Sequence, residues 1–121
     1  MSPKRLWHSI SDAWRGLAYV FKSEQNFRIQ FFLGILALGL AIYFPLRTWE
    51  LIVIILLVGA VWIMELLNTT FENLTDLLKP RLHHYVFLIK DIMAGAVFLS
   101  ALLALIIGLI IFLPHLANTL K

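Results

Sequence analysis

Three long apolar stretches constrain this chain more than any other feature of it. Ile29 to Phe44 carries no charge, with Gln30 its one strongly polar residue; Leu51 to Leu67 is apolar apart from Glu65; Ile92 to Leu113 carries no charge at all. A helix needs about 20 residues to cross the hydrocarbon core of a bilayer. The third stretch meets that alone, and the first two reach it by borrowing Asn26 to Arg28 and Asn68 to Phe71. Composition agrees: 61% of the chain is apolar and 14% charged, against roughly half and a quarter in soluble domains. The surplus has to face lipid. Pro45 and Pro114 fall just past the first and third stretches, where proline is expected to end a helix. The fold class read from the pattern is an all-α integral membrane protein with three transmembrane helices, one domain over residues 1–121.

Charge orients the spans. Lys4, Arg5, Arg15, Lys22 and Arg28 precede the first, and Lys79, Arg81 and Lys90 lie between the second and third; only Arg47 and Lys121 lie on the other side. The positive-inside rule therefore puts the N-terminus and the second loop in the cytoplasm. Charged and polar residues interrupt Met1 to Arg28 throughout, so this segment does not read as a cleavable signal. Leu6, Trp7, Ile10, Ala13, Trp14, Leu17 and Phe21 recur there at helical spacing after Pro3, which suits a first helical turn. That predicts an amphipathic helix over residues 1–27 lying in the cytoplasmic interface, with its tryptophans at headgroup depth. The spans then cover residues 28–45, 50–71 (continuing as a helix to about 78) and 90–113. Ala94, Ala101, Ala104 and Gly108 recur on one side of the third, a pattern that lets helices approach closely within one chain or between chains. A balance of +3 without a basic run excludes nucleic acid as a partner. The absence of cysteine excludes disulfides and thiolate metal sites.

The chemistry concentrates between Glu65 and Asp76. Continued as a helix, Glu65, Asn68, Glu72 and Asp76 share one face. A carboxylate inside a span costs on the order of 2.5–3.5 kcal/mol even on lenient insertion scales, and no Lys or Arg lies between Arg47 and Lys79 to offset it. Glu65 is therefore neutral, paired across helices, or set beside a cation or substrate. Oxygen-rich, thiol-free ligands suit Mg²⁺, usually held by one or two carboxylates together with substrate phosphates. His83 and His84 are adjacent and face different ways on a helix, so they make a poor joint metal site. No P-loop, Gly-rich kinase loop or H-R-D motif is present, so any ATP is bound by another route. Arg5, Arg15, Lys22, Arg28 and Lys90 are cations on the cytoplasmic face able to meet phosphates.

These residues resemble the prokaryotic diacylglycerol kinase family, which includes the undecaprenol kinases. The family pattern Glu-x-x-Asn-[Ser/Thr]-x-x-Glu, followed four residues later by Asp, is matched by Glu65, Asn68, Thr69, Glu72 and Asp76. Lys90-Asp91-x-x-Ala94-Gly95-Ala96 is similar to the family's Lys-Asp box. Trp14-Arg15-Gly16-Leu17 and Ser23-Glu24-x-Asn26-Phe27-Arg28 are similar to its surface helix and first-span entry. The resemblance implies a lipid kinase of the bacterial cytoplasmic membrane, using ATP and Mg²⁺ and assembling as a homotrimer with sites shared between subunits. Carried over, Glu65 is the catalytic base. Glu24 and Glu72 hold metal and, with Arg5, His83, Lys90 and Asp91, meet the nucleotide. Asn68, Glu65 and Arg28 meet the lipid. Gln30 stands where some diacylglycerol kinases have a second glutamate, so that acid's role is not carried over.

The function expected is transfer of the ATP γ-phosphate to a lipid alcohol, with undecaprenol first and diacylglycerol as the alternative. The ending Gly108 to Pro114 is closer in character to undecaprenol kinases. From a different class, a small proton-coupled transporter would use Glu65 as its proton carrier. Transport needs acids reachable from both sides, and Glu50 alone lies on the far one.

Overall fold

The computed structural model describes residues 2–81 and 83–121; Leu82 and Met1 lie outside the described residues. It consists of four helices, α1 (Pro3–Ser23), α2 (Gln25–Tyr43), α3 (Thr48–Leu78) and α4 (His83–Leu120). Three of these, α2, α3 and α4, are long and apolar enough to cross a membrane.

Each boundary has a local cause. Pro3 opens α1 where its missing N–H costs nothing, and the Ser2 hydroxyl accepts from the Arg5 N–H at 3.2 Å. Helices α1 and α2 meet at Glu24, whose extended backbone (φ −115°, ψ 112°) turns the chain. Arg28 closes that corner: its guanidinium donates to the Phe21 and Lys22 carbonyls at 2.9 and 2.8 Å. Those carbonyls belong to the last turn of α1, where intrahelical donors have run out. The first span thus begins at Gln25, three residues ahead of the sequence expectation. It ends at Tyr43 because Phe44, preceding Pro45, is driven to an extended conformation (ψ 149°).

Pro114 behaves otherwise. It was expected to end the third span, yet it lies inside α4, which runs on to Leu120. Proline removes one helical donor at this point. The turn beyond it is held from outside, by His115 Nε2 at 3.1 Å from the Glu50 carboxylate, and from within, by Thr119 Oγ1 donating to the His115 carbonyl at 2.9 Å. Glu50 also accepts the Arg47 N–H at 2.9 Å and so ties the start of α3 to the end of α4.

The central helix is α3, packed chiefly against α4 and next against α2; α1 meets α2. Ala41, Ile54, Val58 and Ile111 form the buried core, flanked by Ala37, Leu38, Trp62, Ile107 and Phe112. Most large apolar side chains point outward instead, Ile42, Phe98 and Ile110 among them. In water that surface would be untenable; in a bilayer it is the solvent-matched one. At about 1.5 Å per residue, the 31-residue α3 and 38-residue α4 exceed the hydrocarbon thickness of about 30 Å. The Glu65–Asp76 segment lies on the far half of α3 from Glu50.

Candidate active site

On α3, buried hydroxyls leave the carboxylates free to face outward from the helix. Thr69 Oγ1 donates to the Glu65 carbonyl at 3.1 Å, and Thr75 Oγ1 to the Glu72 carbonyl at 3.0 Å. Both threonines are buried and would otherwise carry unsatisfied donors. Glu65, Asn68 and Glu72 then line one cleft, completed by Asn26, Ile29 and Gln30 of α2 and by Ala94, Val97, Phe98 and Ala101 of α4. Its volume is about 350 Å³. The two outer spans form its walls and α3 its floor.

Glu65 is only 5% exposed, and no side chain among the described residues donates to its carboxylate. Asn68 Nδ2 donates instead to Glu72 Oε1 at 3.1 Å, so the amide orients the second carboxylate rather than the first. Glu24, at the corner between α1 and α2, and Glu72 are the two carboxylates near enough for their charge to act on Glu65. One turn further along α3, Asp76 Oδ1 pairs with Lys90 Nζ at 2.6 Å, linking α3 to α4 beside the cleft.

The remaining expected site residues are outside the lining of this cleft. Arg28 donates to the α1 carbonyls, as described above. Arg5 is exposed on the first turn of α1 and Asp91 is exposed on α4. His83 opens α4 with its ring 4.7 Å from that of Phe87, edge to face. The structure therefore joins Glu65, Asn68 and Glu72 in one cleft and keeps Glu24 close by, with Lys90 tied to Asp76 one turn further along α3. Among the described residues no three His, Asp or Glu side chains converge on one point. Glu72, with Glu24 nearby, supplies one or two carboxylates, which is the donor set of a Mg²⁺ ion that arrives with phosphates. In that sense the residues fit the metal.

Sequence reasoning did not pick out the α4 wall or Trp62. Trp62 Nε1 donates to the Gln30 carbonyl at 3.0 Å, and its indole stacks on Phe31 at 5.1 Å between centroids. The ring occupies the space that a side chain at Gly34 would need: a Cβ there would lie 2.7 Å from Trp62 Nε1. The signal for the α4 wall was present as the small-residue stripe Ala94, Ala101, Ala104 and Gly108. Within the chain those residues border open clefts instead of seating another helix.

A carboxylate cleft on a long membrane helix, walled by two further spans, agrees with the comparison to known proteins. Residues 11–112 match the model of the prokaryotic diacylglycerol kinase family. The chain belongs to that family. A diacylglycerol kinase of Synechocystis sp. (strain ATCC 27184 / PCC 6803 / Kazusa) is 38% identical over 111 residues, covering 91% of this chain and 63% of that protein. The undecaprenol kinase of Bacillus subtilis (strain 168) is 36% identical over 112 residues, 93% of this chain and 91% of that protein. The chain thus spans somewhat under two thirds of the first relative and nearly all of the second.

Proposed function

We propose that this family member is a membrane lipid kinase that transfers the ATP γ-phosphate to the hydroxyl of a lipid alcohol, undecaprenol before diacylglycerol. The carrying observation is Glu65: a carboxylate 5% exposed in an otherwise apolar span, lining a cleft and without a side-chain partner among the described residues. A group so placed is costly and is suited to accept a hydroxyl proton from a substrate that stays in the membrane. The undecaprenol kinase relative matches along nearly its whole length, which supports undecaprenol; the diacylglycerol kinase relative supports the alternative.

In this mechanism Glu65 takes the proton of the lipid hydroxyl as its oxygen attacks the γ-phosphorus in line and ADP leaves. Asn68 fixes Glu72, and Glu72 with Glu24 would hold Mg²⁺, which supplies charge neutralisation on the phosphates. Lys90 and Asp91 meet the nucleotide at the rim, joined by Arg5 and His83 from the cytoplasmic surface. Arg28, next to the corner that carries Glu24, stands on the lipid side. Helix α1 lies as an amphipathic helix in the cytoplasmic interface, with Trp7 and Trp14 at headgroup depth. The N-terminus and the cleft face the cytoplasm, and the protein assembles as a homotrimer with shared sites in the bacterial inner membrane.

The test is ATP-dependent phosphorylation by purified protein in lipid–detergent micelles with Mg²⁺, offering undecaprenol and diacylglycerol side by side. Turnover of undecaprenol that disappears in Glu72→Gln is the expected outcome. Faster turnover of diacylglycerol would reverse the order of substrates. No turnover of either by folded protein would overturn the assignment.

A further inference from the structure

The two carboxylates assigned to one cation stand on different parts of the chain. Glu72 is on α3, whereas Glu24 lies at the corner between α1 and α2. Mg²⁺ demands near-ideal octahedral geometry at about 2.0–2.1 Å, and a working site holds its groups to within about 0.5 Å. The corner must therefore be fixed against α3. Neither carboxylate does this itself: the Glu24 side chain makes no capping bond to α2, and Asn68, which holds Glu72, belongs to α3.

The corner is one packed unit. Arg28 binds the last carbonyls of α1 to the start of α2. Phe21 of α1 stands edge-on to Phe31 of α2 at 5.5 Å, and the buried Phe27 stacks on the same ring at 6.4 Å. Phe31 in turn stacks on Trp62 of α3, so aromatic contacts run unbroken from α1 through α2 to α3. The Trp62 bond to the Gln30 carbonyl is, among the described residues, the one hydrogen bond between α2 and α3. The ring edge rests on Gly34, where a Cβ would come within 2.7–2.8 Å of three indole atoms. Held on these sides, the indole works as a spacer of fixed size. Glu65 follows three residues later on α3, a rise of about 4.5 Å, and Gln30 lines the cleft with it. Packing alone would be served by any apolar side chain of similar size. The indole adds a bond with direction, which fixes the rotation and the height of α2 on α3.

Resting on the lipid-kinase reading above, we propose that Trp62 is a positioning residue that holds the α1–α2 corner at the separation from α3 at which Glu24 and Glu72 serve one divalent cation. It acts through Gln30 and Phe31 rather than by touching the cation or the lipid. Its loss loosens the cation first, because Glu65, Asn68 and Glu72 keep their places on their own helix while Glu24 drifts with the corner.

The experiment compares the unaltered chain with Trp62→Leu, Trp62→Phe, Gly34→Ala and the core control Ile54→Ala. Three quantities are read for each: KM for Mg²⁺ and kcat at saturating ATP and lipid, the thermal midpoint, and the separation of two nitroxide labels. The labels sit on Gln25→Cys and Thr70→Cys, both exposed positions in a chain without cysteine, and labelled chain is diluted in unlabelled chain. In Trp62→Leu the KM for Mg²⁺ should rise about tenfold, the lower end of what losing a supporting partner does to metal affinity. The change in kcat should be smaller, and the label separation should shift or broaden. Gly34→Ala keeps the indole but displaces it, and should act in the same direction on both. Trp62→Phe keeps a ring against Phe31 and should recover part of each effect. Ile54 is buried nearer the Glu50 end of α3, so Ile54→Ala should lower the thermal midpoint without moving KM for Mg²⁺ or the label separation. If Ile54→Ala raises KM for Mg²⁺ as much as Trp62→Leu, Trp62 only packs and the inference falls. It falls equally if the label separation is unchanged in both Trp62→Leu and Gly34→Ala. Either result leaves the kinase reading standing. No turnover by the unaltered chain would overturn that reading and this inference with it.

Discussion

At the scale of single residues the proposed chemistry centres on Glu65, which alone among the described residues combines deep burial with a carboxylate lining the cleft. Glu65→Gln keeps the shape and removes the base. Turnover should fall by about 10²–10⁴, the usual contribution of a positioned acid–base group, while the thermal midpoint stays near that of the unaltered protein. Near-normal turnover would remove Glu65 from its role. Gly34 makes a separate prediction. A Cβ added there would lie 2.7 Å from Trp62 Nε1, so Gly34→Ala must displace the indole from Phe31 and from the Gln30 carbonyl. Overpacking of this kind costs about 1–3 kcal/mol, readable by reversible unfolding in mixed micelles. Trp62→Phe in the same chain should recover part of that loss, since a smaller ring can retreat. A double mutant as unstable as Gly34→Ala would rule out the clash as the cause.

At the scale of elements, two polar ties join α3 to α4, one toward each end. Asp76–Lys90 is partly exposed, with the lysine and aspartate side chains at 32% and 58%; such pairs contribute about 0–1 kcal/mol. Asp76→Asn should therefore leave stability almost unchanged. If Lys90 meets the nucleotide, the same substitution releases it and shifts KM for ATP more than kcat. The Glu50–His115 contact is less exposed and stands immediately beyond Pro114. Losing one such bond costs about 0.5–1.5 kcal/mol, so His115→Ala should lower the unfolding free energy by that amount. The lipid kinetics should not change, because the contact lies at the end of α3 remote from Glu65. A selective loss of activity at unchanged stability would mean that the two ends are coupled.

Taken as a whole, the molecule places its carboxylate cleft at one end of a three-span bundle and its Glu50–His115 tie at the other. The proposal that the cleft faces the cytoplasm rests on the Lys and Arg distribution. The chain has no cysteine, so single-cysteine variants test this cleanly. A membrane-impermeant maleimide added outside intact spheroplasts should label Asn118→Cys and leave Asp12→Cys unlabelled. The opposite pattern would invert the topology and leave the site without access to cytoplasmic ATP.

Much of this architecture was legible before any coordinates. Three uncharged stretches of near-spanning length leave few alternatives, and the 65/68/72 spacing puts three polar groups on one helical face wherever that helix packs. Such features are local: length, charge and periodicity are properties of a segment. What only the tertiary structure decided depends on distance between segments. Arg28 turned out to close the α1 corner because a donor takes the acceptor that packing brings within reach. Pro114 failed to end α4 because Glu50, 65 residues before His115 in the chain, holds the turn beyond it. The small residues of α4 could have seated a helix as readily as a lipid chain. Within the chain they border open clefts, because of how α2 and α4 pack on α3.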